Sequence, residues 1–150
     1  MQNKSNYFIK LGNKYLSLNN IKLAIENYLL ALKEDEENPL IYHNLGVCFL
    51  LENNYNDAVV NFEKSIEKGM DEEETYYYYI KALYLSGNYN ECLEVNVNEK
   101  FYIDMNIIKL KSAMKLNKFD IAKNIIENLK LKGFSSQEIN LIESIISNQY

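Results

Sequence analysis

The chain has 150 residues, of which 47% are hydrophobic and 25% charged, with five glycines and one proline. This size and composition are typical of one folded domain and exclude a low-complexity linker. A formal net charge of −5 repels phosphate, which argues against charge-driven binding to nucleic acid.

The sequence also favours one compartment. Cys48 and Cys92 are too few for a disulfide framework, so we expect both to be buried and reduced. The N-terminal MQNKSNYFIK lacks the apolar core of a signal peptide. No apolar run approaches the length of about 18 residues that a membrane span requires. We therefore expect a cytoplasmic protein with no contact to a membrane.

An internal repeat sets the order of the predicted helices. The pairs Leu11-Gly12 and Leu45-Gly46 lie 34 residues apart. Three more pairs share this spacing: Tyr15 and Phe49, Ala24 and Ala58, and Tyr28 and Phe62. Such a period indicates stacked supersecondary units. We expect units at about residues 5–38, 39–72, 73–102 and 103–134, all within one domain, 1–150.

Pro39 opens the second unit at a first-turn position, where its missing N–H costs nothing. The third unit begins near Glu73. In the fourth, Phe119 follows Tyr89 by only 30 residues, so the second half of the third unit lacks about one helical turn.

A polar pair divides each unit into two helices. The first member is Asn or Gly, which accept left-handed backbone at a helix end, and the second is Asn in three units, a good N-cap. The pairs are Asn19-Asn20, Asn53-Asn54, Gly87-Asn88 and Asn117-Lys118.

The last predicted helix covers about residues 135–148. Ser135 and Glu138 have the spacing of a capping box, with Ser135 as N-cap. The helix is amphipathic, which suits an element that closes a stack of repeats.

This pattern resembles the tetratricopeptide repeat, which has an aromatic residue, Leu, Gly and Tyr on its first helix and Ala, Phe and Ala on its second. The second unit departs from it at Ser65, the third at Ile80 and Cys92, and the fourth at Asn106 and Lys109. The first unit carries the full set: Phe8, Leu11, Gly12, Tyr15, Ala24, Tyr28 and Ala31.

The resemblance implies an all-α fold, an α-α superhelix of about nine helices in antiparallel pairs. Gly12 and Gly46 lie inside helices, where Gly costs about 1 kcal/mol relative to Ala. The need for a neighbouring helix to pack closely explains why Gly occurs there despite that cost. We expect Ala24 and Ala58 to face the two glycines.

In this family the first helix of each unit lines a concave groove. The resemblance therefore implies a peptide-binding surface at these positions: Ile9, Asn13, His43, Asn44, Val47, Tyr77, Tyr78, Lys81, Tyr84 and Lys111. The same register divides the run of four tyrosines. Tyr76 and Tyr79 are predicted core residues, whereas Tyr77 and Tyr78 face the groove.

One use of such a groove, the carboxylate clamp for chaperone C-termini, is disfavoured. Asn13 and Asn44 match its two Asn positions. Its three basic positions are occupied by Ile9, Glu74 and Tyr78, and a Glu repels a ligand carboxylate.

No catalytic or metal-binding motif is present, so we expect no enzyme activity, cofactor or metal site. The acidic runs 34–37 and 71–74 lack the glycine turn of a calcium loop and are typical of solvated helix starts. For His43 we expect a hydrogen-bonded structural role and not a catalytic one. Because a histidine titrates near neutrality, it also predicts pH-sensitive binding.

The sequence thus predicts a scaffold or adaptor that binds a peptide or helix of another protein. A chaperone for a secreted protein, a self-associating module and an RNA-binding helical repeat remain alternatives, the last disfavoured by the net charge.

Overall fold

The structure, a computed structural model, describes residues 3–150. Every regular element in this range is an α-helix, which confirms the predicted all-α fold class. The nine helices of the described residues are α1 (Lys4–Ser17), α2 (Ile21–Glu34), α3 (Pro39–Leu51), α4 (Tyr55–Glu67), α5 (Glu73–Leu85), α6 (Tyr89–Glu94), α7 (Tyr102–Lys115), α8 (Phe119–Leu131) and α9 (Gln137–Ser147). The chain divides into two compact units, with the boundary in the sequence between Ala82 and Leu83.

In the first unit, α1 packs on α2, α2 on α3, and α3 on α4. Gly12 and Gly46 do allow a close approach, but the expected partners were wrong. The nearest groups are the rings of Tyr28 and Phe62, not Ala24 and Ala58. The core around α1–α3 contains seven buried residues: Ile9, Ala24, Tyr28, Ala31, Ile41, Leu45 and Cys48.

The turns between paired helices follow the sequence prediction. Asn19, Asn53, Gly87 and Asn117 all have positive φ, between 54° and 84°. The side chains of Asn20 and Asn54 accept hydrogen bonds from the backbone N–H groups of Leu23 and Asp57, as N-caps do.

One predicted cap is wrong. Asn88 makes no side-chain cap, and its amide nitrogen instead donates to Ser86 Oγ at 2.9 Å. The predicted shortening of the helix after Asn88 is present but exceeds the expected single turn, since α6 has six residues whereas α4 and α8 have 13 each.

In the second unit, α6 packs on α7, α7 on α8 and α8 on α9. The segment between α6 and α7 is not helical, and its composition of Val and Asn disfavours a helix. Lys109 on α7 holds this segment, because its Nζ donates to the carbonyl oxygen of Val95 at 2.5 Å.

The capping helix begins one residue later than predicted. Ser136, not Ser135, is the N-cap of α9, and its Oγ accepts from the N–H of Ile139 at 3.2 Å. Glu138 forms an ion pair with Lys111 at 3.2 Å instead of closing a capping box.

Both cysteines are buried free thiols, as expected. Burial raises the pKa of Cys48 to about 12, so its thiol stays protonated and is a poor nucleophile. Among residues 3–150, no helix has the length and apolar character needed to cross a bilayer.

Candidate functional site

The predicted groove residues lie on four helices: α1, α3, α5 and α7. Most of them are partly or fully exposed, but Ile9 is not. Its side chain is only 6% exposed and belongs to the core around α1–α3. The prediction that Ile9 offers a binding surface is therefore wrong, because its helix turns this position toward α2 and α3.

The first unit brings four of the aromatic rings together. Tyr78 stacks on Phe62, with ring centroids 6.2 Å apart and an angle of 21° between the planes. The imidazole of His43 lies 5.9 Å from Phe62 and 6.3 Å from Tyr78, and Tyr77 lies 5.5 Å from Tyr78. We call these four residues the aromatic cluster. It has a buried base, Phe62, and three half-buried members.

His43 has the hydrogen-bonded position that the sequence predicted. Its Nδ1 lies 2.8 Å from Oγ1 of Thr75, whose side chain is fully buried. Burial lowers the pKa of His43 below the usual 6.5, and the negative charges of Glu74 and Glu72 oppose this shift only in part. His43 is therefore neutral near pH 7 and adds no cation to the surface.

Tyr78 also connects to the acidic start of α5. Its hydroxyl donates to Oε1 of Glu74 at 3.1 Å. Desolvation and this bond raise the pKa of Tyr78 above its usual value of 10.0, so the hydroxyl stays protonated. Glu74 thus orients the hydroxyl of Tyr78.

A second group in this unit consists of two amides. Asn44 Nδ2 donates to Asn13 Oδ1 at 3.4 Å, and the same oxygen accepts from the hydroxyl of Tyr28 at 2.6 Å. Asn44 directly follows His43 on α3, so the amides adjoin the aromatic cluster along the chain. Neither Asn13 Nδ2 nor Asn44 Oδ1 bonds to any residue of the described range.

Val47 and Lys81 lie on the same two helices as the aromatic cluster, α3 and α5. Val47 is half-buried and Lys81 is exposed. Lys81 forms no ion pair with any residue between 3 and 150.

The second unit places its two predicted groove residues in one open pocket of about 440 Å³. Tyr84, Lys111 and Met114 line it on one side. Glu138 and Ile142 of α9 complete it, so the capping helix forms part of this pocket. Lys111 pairs with Glu138, whereas Lys115, the other lysine of the lining, has no ion-pair partner among residues 3–150.

The predicted division of the four tyrosines is wrong in part. All of them, Tyr76 to Tyr79, are half-buried, and none is a core residue. The buried residues of this stretch are Thr75 and Ile80, which flank the run. The hydroxyl of Tyr79 reaches Glu63 Oε1 at 3.0 Å, at an exposed position.

Sequence reasoning missed three residues that shape the site: Thr75, Phe62 and Tyr28. Thr75 hydrogen-bonds to His43, and Phe62 stacks on Tyr78. Both contacts arise from helix packing and have no motif in the sequence. For Tyr28 a signal existed. Tyr28 and Phe62 occupy the same place in successive repeats, and so do Asn13 and Val47. Only the first repeat therefore has both a hydroxyl and an amide at these places.

No group of three or more His, Cys, Asp or Glu side chains within residues 3–150 has the arrangement of a metal site. The acidic run at 71–74 supplies first-turn residues of α5, and Glu37 of the other run pairs with Lys68.

Paired helices with a 34-residue spacing define an α-helical repeat protein. A family model of the TPR (tetratricopeptide) repeat matches residues 12–51. The mouse E3 ubiquitin-protein ligase TTC3 is 28% identical over 86 residues, which are 57% of this chain and 4% of the ligase. The chain thus spans only a small fraction of that relative's length.

Two solved structures share the fold. YrrB, a TPR protein with an unusual peptide-binding site, has a TM-score of 0.66 at 19% identity, over 80% of this chain and 64% of YrrB. The TPR2B domain of yeast Sti1, solved in complex with pHsp70, has a TM-score of 0.58 at 18% identity, over 98% of both chains. The chain thus has the fold of tetratricopeptide repeat proteins, and its residues 12–51 match the model of that repeat.

Proposed function

We propose that this protein is a non-catalytic scaffold that binds a peptide segment of a partner protein. The observation that carries the proposal is the pair of amides on α1 and α3. Asn13 Nδ2 and Asn44 Oδ1 offer one donor and one acceptor that no described residue uses. A peptide backbone presents the complementary pair, a C=O and an N–H.

The aromatic cluster supports the same proposal. Tyr77 and Tyr78 are half-buried. Tyr78 stacks on Phe62 and Tyr77 packs against Tyr78, so a ligand meets large surfaces that are already ordered. Tyrosines of this kind are enriched among residues that dominate binding energy. Lys81, exposed on the same helix, favours an acidic side chain in the ligand.

The charges oppose a ligand that ends in a bare carboxylate. Glu74 and Tyr78 stand where the chaperone clamp requires cations, and Ile9 is buried. Among the structural relatives, YrrB and the Sti1 domain are described with a peptide-binding site and with pHsp70, which supports a peptide ligand but not the clamp chemistry.

Tyr84 and Lys111 remain part of the proposal as a separate surface. Their pocket in the second unit combines an aromatic ring, a thioether and lysines. Such a lining suits an apolar side chain with an acidic neighbour.

The test is a selection from a phage-displayed library of random peptides, followed by calorimetric titration of the selected peptides. We expect Asn44→Ala and Tyr77→Ala to weaken binding by about tenfold or more while the melting temperature changes little. Asn56→Ala and Tyr55→Ala are matched controls on α4, the second helix of its unit, and should bind as the wild type does. Normal binding by both groove variants would refute the proposal.

A further inference from the structure

Tyr28 connects the core of the first unit to the amide pair. Its side chain is fully buried against Gly12, yet its hydroxyl reaches Asn13 Oδ1 at 2.6 Å. Burial raises the pKa of Tyr28, so the hydroxyl keeps its proton and acts as a donor. A rigid core residue therefore holds one end of an otherwise exposed side chain.

This bond fixes which way the Asn13 amide faces. Its oxygen is turned toward two donors, the hydroxyl of Tyr28 and Nδ2 of Asn44. The Asn13 NH₂ group is consequently the part left for a ligand. Because Nδ2 of Asn44 already donates to Asn13, the Oδ1 of Asn44 is the acceptor that α3 offers to a ligand.

The chain contains its own comparison for this arrangement. Residues 28 and 62 occupy the same place in successive repeats, and so do residues 13 and 47. The first repeat has Tyr28 with Asn13, whereas the second has Phe62 with Val47. Both rings pack on a glycine of the preceding helix. The ring thus serves packing in both repeats, and the hydroxyl occurs only where an amide accepts it.

We propose that Tyr28 is a positioning residue that sets the polarity of the binding surface. A ligand must present a carbonyl to Asn13 Nδ2 and an N–H to Asn44 Oδ1. Main-chain groups of a helix are already bonded to each other, so free C=O and N–H groups on neighbouring residues indicate an extended peptide. This inference rests on the proposed function and narrows its ligand to an extended segment recognised through its backbone.

The direct test is Tyr28→Phe, measured with a selected peptide by calorimetry. Phe62 shows that a phenylalanine fits this place in the fold, so the variant removes only the hydroxyl. One lost orienting hydrogen bond predicts binding weaker by about three- to tenfold. Tyr55→Phe is the matched control, since it removes a hydroxyl that donates to Asn53 Oδ1 at 2.9 Å, and it should leave binding unchanged.

A double-mutant cycle separates positioning from a general effect on the fold. If Tyr28 acts through Asn13, Tyr28→Phe should weaken binding in the wild type but not in an Asn13→Ala background. An equal loss in both backgrounds, or no loss at all, overturns the inference. A merely structural role would give that equal loss.

A second measurement addresses the ligand. Each peptide amide is replaced in turn by an ester, which removes one N–H. We expect one ester to weaken binding to the wild type by several-fold and to have no further effect on Asn44→Ala. If Asn44→Ala weakens binding but no ester does, the backbone-directed inference fails while the proposed function stands. If Asn44→Ala and Tyr77→Ala bind normally, the proposed function itself fails.

Discussion

The ring of Phe62 lies directly over Gly46, so a Cβ placed on this glycine would come within 2.7 Å of the ring. Tyr28 makes the same contact with Gly12, closer still. In each of the first two repeats, the glycine and the aromatic residue 16 positions later form one packing unit. The third repeat lacks both, with Ile80 and Asn96 at the corresponding places.

Gly46→Ala should destabilise the protein even though Ala is the better helix former. The propensity gain is about 1 kcal/mol, and overpacking a buried ring costs up to about 3 kcal/mol. We expect a net loss of up to about 2 kcal/mol in the free energy of unfolding, measured by urea denaturation. Adding Phe62→Leu should recover part of this loss, because it removes the ring atoms that clash. A Gly46→Ala variant as stable as the wild type would show that the ring moves aside freely.

Local signals in the sequence were sufficient for the helices and turns. Asn is a residue type that accepts left-handed backbone, as at Asn19, Asn53 and Asn117, and Pro39 marks the first turn of α3. The spacing of the repeat also predicts the helix order and a shortened second helix in the third unit, although α6 is shorter than one missing turn explains.

Contacts that depend on how helices pack were less predictable. The repeat position of Ile9 predicts a groove residue, but packing of α1 on its neighbours buries it. The same rule predicts Tyr76 and Tyr79 in the core, and both are half-buried. The position of a residue in the repeat predicts which face of its helix it occupies. Its burial also depends on which neighbouring helix packs against that face.

His43 should titrate below its usual range. Because it is the only histidine, a single imidazole resonance reports its pKa by NMR, and we expect a midpoint below 6.5. The unfolded state then binds more protons than the folded state as pH falls below about 6.5, so stability is lost in that direction. Comparison with His43→Gln isolates the effect, since the variant should lose less stability between about pH 7.5 and pH 5.5. A midpoint at or above 6.5 would contradict the burial of the imidazole.

Lys109→Met should destabilise the second unit. The substitution keeps the apolar stem of the lysine but removes the ammonium that donates to the Val95 carbonyl at 2.5 Å. Leaving a partly buried carbonyl without its donor costs about 1–3 kcal/mol. Lys115→Met on the same helix is the control, because Lys115 is exposed, and it should change the unfolding free energy by less than about 0.5 kcal/mol. Equal effects of the two substitutions would mean that the Val95 contact adds nothing.

The burial along α5 predicts which substitutions in the tyrosine run affect folding. Ile80 is fully buried, so Ile80→Ala should cost about 2–5 kcal/mol of unfolding free energy. Tyr76 and Tyr79 are half-buried, and the hydroxyl of Tyr79 bonds to Glu63 at an exposed position. Tyr76→Ala and Tyr79→Ala should therefore each cost less than Ile80→Ala in the same urea titration. If either tyrosine variant were the least stable of the three, the aromatic side chain and not the isoleucine would be the main core contact of this helix.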